Sequence, residues 1–181
     1  STLALSAAET APRSSAEPAP AVGRHTFTLG TNDFLLDGQP FQIRSGEMHP
    51  ARIPHQYWRH RLRLAKAMGL NAVAIYLFWS SYEVAADQYD FTTNERNIGE
   101  FLQTAKEEGL WVLLRPGPYC CGEWDLGGIP VRLLKTPDIK LRCSAPTYIG
   151  PVERYLHQLA PVVRPHLAEN GGPVLMVQLE N

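Results

Sequence analysis

The sequence has little cysteine, no long apolar run and no excess of charge of either sign. No Cys-x-x-Cys pair and no cysteine–histidine spacing typical of zinc occurs among its 181 residues, so neither a metal nor a cofactor is expected. No apolar run approaches the roughly 20 residues that cross a bilayer, so no membrane span is expected. The formal net charge is -1 and the basic residues are dispersed, which argues against nucleic acid or an anionic membrane as partner. Hydrophobic residues make up 44%, enough for one packed domain or a large piece of one.

The three cysteines, Cys120, Cys121 and Cys143, do not define a disulfide. The adjacent pair is poorly placed to bridge itself, because a vicinal disulfide is strained. One of the two could pair with Cys143, but buried free thiols are the default expectation.

Residues 1–24 are rich in alanine, serine and proline and are expected to lie outside the folded domain. The run Leu3–Ala8 fits the end of a signal peptide, with small residues suited to cleavage. The composition of the segment fits a disordered linker equally well.

Residues 25–181 alternate strand and helix patterns after a short β-hairpin. Asp37-Gly38 is a strong turn signal for that hairpin. Thr92 and Glu95 fit a capping box at the start of a helix that Gly109 ends. The predicted strands are His25–Leu29, the hairpin strands Phe34–Leu36 and Pro40–Ile43, the first main strand Phe41–Ser45, then Ala72–Leu77, Leu110–Leu114 and Pro173–Asn181. The predicted helices are His55–Met68, one from near Thr92, a short one near Pro130–Leu134 and one at about Thr147–Ala168.

This alternation predicts a parallel sheet with crossover helices. An open doubly wound sheet would carry a glycine-rich turn after its first strand, and Ser45–Pro50 is not such a turn. The strand ends carry aromatic and polar residues instead, which is typical of the carboxyl-end rim of a barrel. We therefore expect an α/β fold that forms the N-terminal half of a TIM (β/α)8 barrel, with about four βα units.

The predicted strand ends share a mixture of carboxylates, amides and aromatic rings. Such a mixture suits a sugar, because pyranose C–H faces pack on rings and hydroxyls need fixed donors and acceptors. The residues concerned are Gly46, Glu47, His49 and Arg52; Tyr76, Trp79, Tyr82 and Glu83; Arg115, Tyr119, Glu123 and Trp124; and Gln178, Glu180 and Asn181.

Several of these residues also have ordinary structural interpretations. Arg115 and Glu47 can form an ion pair, Trp79 can cap the core, and Glu83 can be a surface charge. Glu123 lies in a loop of glycine, proline and aromatic residues without helical periodicity, which favours a ligand role. Glu180 closes an apolar strand, where a carboxylate must find partners or be costly to bury.

Three segments resemble glycoside hydrolase family 35, the β-galactosidases. The resemblance covers about Phe27 to Asn181, and its motifs are specific. The segments are Phe41–Pro54 with Tyr57-Trp58 and Arg61; Arg115–Tyr119 with Cys121–Trp124 and Gly127–Pro130; and Asn170–Pro173 leading to Val177–Asn181, which is similar to the approach to a Glu-Asn-Glu-Tyr-Gly motif.

The resemblance implies a (β/α)8 catalytic barrel, a retaining mechanism with two glutamates and a carbohydrate substrate with terminal β-galactose. The family's acid/base would follow Asn181 directly and its nucleophile would follow the seventh strand, so neither is expected in these residues. We therefore expect residues 25–181 to be the N-terminal portion of the barrel, inactive alone, and Glu180 not to be the acid/base. The leader-like start and such sugars favour a periplasmic or secreted location.

The resemblance also implies a sugar-recognition set. Tyr76 matches a tyrosine that contacts galactose, Glu123 a glutamate that binds its hydroxyls, and Asn181 an asparagine that holds the 2-hydroxyl. Cys121 and Gly122 would line the same wall. Trp79, Trp124, Glu180 and Arg115 are expected to support the site.

The sequence departs from the family pattern at Trp79–Val84, where Trp-Asn-x-His-Glu-Pro is usual, and at Gly122, where alanine is common. The departures bear on substrate preference and on the rigidity of that loop. Two alternatives to a β-galactosidase stay open. One is a retaining exo-glycosidase for another β-linked sugar, such as glucosamine or xylose. The other is a non-catalytic sugar-binding relative.

Overall fold

The computed structural model describes residues 23–181, so most of the expected leader or linker at residues 1–24 lies outside the described residues. No helix in the described part is long and apolar enough to cross a membrane. The strands are β1 Phe27–Leu29, β2 Phe34–Leu36, β3 Gln39–Phe41, β4 Ser45–Glu47, β5 Ala72–Tyr76, β6 Glu83–Ala85, β7 Gln88–Tyr89, β8 Trp111–Gly117 and β9 Val174–Leu179; the helices are α1 Trp58–Ala67, α2 Trp79–Tyr82, α3 Ile98–Glu107 and α4 Pro146–Val163.

Four strands form a parallel sheet in the order β4-β5-β8-β9. Strands β5 and β8 are apolar runs, as is typical of parallel strands buried on both faces, and Ala72, Val73 and Val112 are buried. The α/β class with a parallel sheet is therefore confirmed.

The main core lies between this sheet and the helices. The apolar face of α3, which includes Ile98, Phe101 and Leu102, is fully buried. Phe101 contacts Trp58 of α1 edge to face, with ring centroids 5.2 Å apart. Burial of one such aromatic side chain contributes roughly 2 kcal/mol, so these helices are fixed by packing more than by local propensity.

A three-stranded antiparallel sheet, β1-β2-β3, covers the amino ends of the parallel strands. Its turn uses Asp37 and Gly38 at φ 51° and 76°, the positive values that a two-residue type I′ hairpin needs. Leu36 and Phe41 pack against Ala72 and Trp111, the first residues of β5 and β8. The hairpin thus leaves the opposite end of the parallel strands for a site.

The predicted first main strand, Phe41–Ser45, is wrong: the strand that joins the parallel sheet is β4, Ser45–Glu47. Asn71 explains the shift, because its side chain takes up the backbone groups of the preceding residues. Its Oδ1 accepts from Arg44 N at 2.7 Å and its Nδ2 donates to Gln42 O at 2.8 Å. Gly46 and Glu47 therefore lie in the strand and not after it.

Two helix ends also differ from the prediction. Helix α3 begins at Ile98 and not near Thr92, because Asn97 is the N-cap and accepts from Glu100 N at 3.1 Å. The cap is formed by Asn97 with Glu100 and not by Thr92 with Glu95, because Ile98 then faces the core. Helix α4 ends at Val163 and not at Ala168, because the chain passes into a 3₁₀ turn and then extends at Leu167, which pairs with Val174.

Strand β8 runs further than the predicted Leu110–Leu114. It continues to Gly117 and places Arg115 opposite Tyr76 of β5 in the register. The extra length carries Arg115 to the rim of the sheet.

Candidate functional site

Side chains from all four parallel strands meet beyond their carboxyl ends. Asn181 Oδ1 accepts from the Tyr76 hydroxyl at 2.7 Å and from Arg115 Nη2 at 2.6 Å. Arg115 Nη1 donates to Glu47 Oε1 at 2.5 Å, and its guanidinium centre lies 3.9 Å from the Tyr76 ring centroid. The ion pair between Arg115 and Glu47, one of the two interpretations of the sequence, is therefore present. These side chains form one network, which we call the rim cluster; its members are Glu47, Tyr76, Arg115 and Asn181.

His49 connects the rim cluster to the backbone. Its Nδ1 accepts from Tyr76 N at 3.2 Å, and its Nε2 lies 3.7 Å from Glu47 Oε2. Burial lowers the pKa of His49, against an opposing effect of Glu47 and with a further lowering by Arg52 and Arg115. Burial also raises the pKa of Tyr76, so its hydroxyl stays protonated and can donate.

The loop after β8 forms a wall beside the rim cluster. A Cβ added at Gly122 would lie 3.2 Å from Tyr76 Cδ2 and from Phe78 Cζ, so the loop packs directly on these rings. Trp124 stacks on Phe78 at 4.4 Å between centroids and 10° between planes. Trp124 Nε1 donates to Ser80 Oγ at 3.3 Å. This packing presents an aromatic surface next to the polar rim.

Glu123 is exposed in this wall and has φ 48°. Its carboxylate makes no side-chain hydrogen bond within residues 23–181, although it lies near enough to His49 to favour the protonated imidazole electrostatically. A carboxylate next to the rim with its acceptors uncommitted is able to bind hydroxyl groups.

The neighbouring cysteines differ in exposure. Cys121 is exposed, whereas Cys120 is buried, and burial raises the pKa of the Cys120 thiol to about 12. All three cysteines are free, as expected, but only Cys120 is buried, so the expectation of buried thiols is wrong for Cys121 and Cys143. Cys120 is therefore a packing residue, and only Cys121 is accessible beside Glu123.

Glu180 has the partner that its position requires. Its Oε2 lies 2.7 Å from Arg142 Nη2, and the same nitrogen donates to Asn181 O at 2.6 Å. Arg142 also lies 4.0 Å from the Tyr119 ring centroid. Arg142, in the long loop after β8, thus holds the end of β9, and the Glu180 carboxylate is paired with it.

Three candidates from the second strand end lie away from the rim. Trp79 is fully buried and stacks on Tyr155 at 5.1 Å, so it supports the core and not the site surface. Tyr82 is also fully buried in that core. Glu83 is not a surface charge, since its side chain is 3% exposed and paired with Arg132. The core interpretation thus holds for Trp79, and Tyr82 is a core residue as well.

Two residues of the site carried no clear sequence signal. Phe78 directly follows an apolar strand and reads as its continuation, yet it underlies both Gly122 and Trp124. Arg142 lies in a loop without periodicity, 38 residues before its partner Glu180. Only the fold brings these pairs together.

The described part of the chain shares its fold with solved glycosidases of the TIM-barrel type. An exo-β-1,4-mannosidase from Opitutaceae bacterium strain TAV5 superposes with a TM-score of 0.59 at 19% identity, covering 80% of this chain and 25% of that one. An endo-1,4-β-mannanase from Rhizomucor miehei gives 0.59 at 13% identity, covering 86% and 48%. At these identities the likeness shows the fold alone.

Sequence relatives are much closer. A protein named beta-galactosidase from Mus musculus is 46% identical over 162 residues, which is 88% of this chain and 25% of the relative. One of the same name from Xanthomonas manihotis is 43% identical over 156 residues, 86% of this chain and 26% of the relative. The chain thus spans about a quarter of the length of these curated relatives. Residues 33–181 match the sequence pattern of Glycosyl hydrolases family 35, and the chain belongs to that family.

Proposed function

We propose that the protein containing this chain is a retaining exo-glycosidase that removes terminal β-D-galactose from oligosaccharides, polysaccharides or glycoconjugates. Family membership and the name beta-galactosidase of its relatives support this proposal. The observation that carries it is the rim cluster, in which Tyr76 and Arg115 both donate to Asn181 Oδ1. These side chains come from three different strand ends, as in barrel enzymes that build their sites there.

The donor and acceptor pattern fits a sugar. Because Asn181 Oδ1 receives two donors, its Nδ2 group remains to donate, and we assign it to the 2-hydroxyl of the galactose. Contacts to this hydroxyl strengthen in the transition state of glycosidases. The Glu123 carboxylate supplies acceptors for further hydroxyls, and the wall at Cys121 and Gly122 with Trp124 supplies apolar surface for the sugar ring.

The chemistry in this proposal needs two further carboxylates. In a retaining enzyme one carboxylate attacks the anomeric carbon while the other protonates the leaving oxygen, and the two lie roughly 5–5.5 Å apart. We place the acid/base directly after Asn181 and the nucleophile on a later strand. Residues 1–181 then bind sugar groups but do not hydrolyse a glycoside alone.

We also propose that the parallel sheet is the first half of a (β/α)8 barrel preceded by the β1–β3 hairpin sheet. On β9, Val177 is 46% exposed and Leu179 is 60% exposed. An apolar groove of about 400 Å³ lies between α4 and β9, lined by Leu156, Leu159 and Val163 among others. A further strand along β9 and a further helix in this groove would cover both surfaces.

The test uses the complete coding sequence. The purified protein is assayed with nitrophenyl β-D-galactoside beside the β-D-glucoside, β-D-xyloside and β-D-glucosaminide, and the anomer released first is identified by NMR. We expect turnover of the galactoside with β-galactose as first product, abolished by a Glu→Gln change directly after Asn181. Turnover of another glycoside alone, or α-galactose as first product, would contradict the proposal. Binding of galactose without turnover would favour a sugar-binding protein.

A further inference from the structure

We propose that Arg52 is a positioning residue that holds the Glu123 carboxylate in place for the sugar, an inference that rests on the proposed function. Arg52 lies 71 residues before Glu123 and outside the loop that carries it. Its role would be exerted on the backbone on both sides of Glu123 and not on the sugar.

One guanidinium nitrogen holds both peptide groups that flank Glu123. Arg52 Nη2 donates to Gly122 O and also to Glu123 O, the latter at 2.7 Å. Within residues 23–181 these two carbonyls accept no backbone hydrogen bond, so Arg52 supplies their partners. The charge on the donor makes such bonds stronger than those between neutral groups.

The conformation of Glu123 explains this arrangement. Its φ of 48° lies in the left-handed region, which residues with a side chain rarely occupy. In this conformation the carbonyls of Gly122 and Glu123 both lie within reach of the same Arg52 nitrogen. Without these bonds the surrounding structure would no longer favour the strained conformation, and the carboxylate would turn away from the rim.

The Arg52 side chain is itself held between rings and a rigid turn. Its guanidinium centre lies 5.3 Å from the Phe78 centroid and 5.5 Å from the Trp124 centroid. Arg52 ends a 3₁₀ turn that begins at the buried Pro50, and Arg52 N donates to His49 O at 3.0 Å. A planar guanidinium can stack on these rings and bond the loop at once, which a lysine ammonium cannot reproduce.

The experiment is a double-mutant cycle in the complete, galactoside-hydrolysing enzyme. It compares Arg52→Lys, Glu123→Gln and the double variant, with Arg63→Lys as the matched control. Arg63 pairs with Glu108 on the surface, Nε to Oε2 3.0 Å, away from the rim. KM and kcat for nitrophenyl β-D-galactoside are measured separately, and melting temperatures are recorded for every variant.

We expect Arg52→Lys to lower kcat/KM on the order of 10- to 100-fold, because a small displacement of a binding group is costly. In the Glu123→Gln background the same change should cost about twofold or less, since the group that Arg52 positions is already impaired. Arg63→Lys should leave both kinetic constants unchanged. Full additivity of the two changes, or a loss that tracks the melting temperature alone, would overturn the inference.

Failure of the inference is distinguishable from failure of the proposed function. A parent enzyme without galactosidase activity rejects the proposed function and the inference with it. An active parent with additive variants rejects the role of Arg52 alone. If Arg52→Lys does not fold, Arg52→Gln completes the same cycle and is judged by the same coupling energy. Glutamine keeps an amide nitrogen as donor and removes the charge.

Discussion

The Tyr76 hydroxyl lies 2.7 Å from Asn181 Oδ1, although 105 residues separate the two in the chain. Tyr76 ends β5, and Asn181 follows β9, two strands away in the sheet. The bond therefore spans β8, whose Arg115 donates to the same oxygen while its guanidinium centre lies 3.9 Å from the Tyr76 ring centroid. The orientation of the Asn181 amide is set by two donors from neighbouring strands.

Replacing Tyr76 by phenylalanine should lower kcat/KM of the complete enzyme about tenfold, because Asn181 loses one of its two orienting donors. The ring remains, so its packing against Arg115 is retained. Steady-state kinetics on nitrophenyl β-D-galactoside measures the effect. Tyr57→Phe is the control, since Tyr57 is 55% exposed. Equal kinetics for the two variants would show that the hydroxyl has no part in orienting Asn181.

Two buried tyrosines should respond oppositely to loss of their hydroxyls. Tyr155 OH donates to Pro116 O at 3.1 Å, whereas the buried Tyr82 hydroxyl has no hydrogen-bond partner among the described residues. We expect Tyr155→Phe to lower the free energy of unfolding by about 1 kcal/mol and Tyr82→Phe to leave it unchanged or raise it. Denaturant unfolding of both variants decides, and a larger loss for Tyr82→Phe would contradict the assignment.

Arg132→Met should destabilise the protein by roughly 2 kcal/mol, a value reduced for the partial exposure of the arginine. The Glu83 side chain is only 3% exposed and would be left without its guanidinium partner. The double variant with Glu83→Gln should lose less than Arg132→Met alone, because no uncompensated buried charge remains. Thermal and denaturant unfolding give the comparison. A double variant less stable than the single would argue against this buried ion pair.

Stability should fall as the pH decreases below the ordinary histidine pKa of 6.5, in part because of His49. Burial lowers the pKa of His49 in the folded state, so below pH 6.5 the unfolded chain binds the proton more readily. The contribution of His49 to the free energy of unfolding is therefore fully present above pH 6.5. It is lost progressively as the pH falls from 6.5 toward the folded-state pKa. His166, whose pKa burial also lowers, acts in the same direction.

The contribution of His49 is isolated by substitution. His49→Gln should flatten the decline of the unfolding free energy between neutral and mildly acidic pH. Urea unfolding of the parent and of the variant at a series of pH values measures both slopes. An unchanged slope for His49→Gln would place the acid sensitivity elsewhere.

Periodic patterns in the sequence predict the parts of this fold that depend on burial. The inner face of α3 and the interior of β5 follow directly from the spacing of their apolar residues, because only one arrangement buries them. Element ends are less determined: Thr92 with Glu95 and Asn97 with Glu100 both fit a helix cap, and packing of Ile98 selects the second.

The sequence predicts a site residue when its type and its position at a strand end are enough to place it. It does not predict a site residue whose role depends on a contact with a distant part of the chain. The end of β5 could be placed at the rim from the sequence, and so could the Arg115–Glu47 pair as one interpretation. The hold of Arg52 on Glu123 joins residues 71 apart in the chain, and the pairing of Arg142 with Glu180 joins residues 38 apart. Such contacts depend on loop paths that have no periodic signal.

The hairpin sheet over the amino ends of the parallel strands separates two tasks along the same set of strands. Leu36 and Phe41 pack against Trp111 at one end, while the rim cluster lies at the other end. Substitutions at the hairpin end should therefore be read out as changes in folding yield, and substitutions at the rim as changes in selectivity. A library of variants with changes at the rim and an unchanged hairpin could alter sugar preference without lowering the stability of the fold.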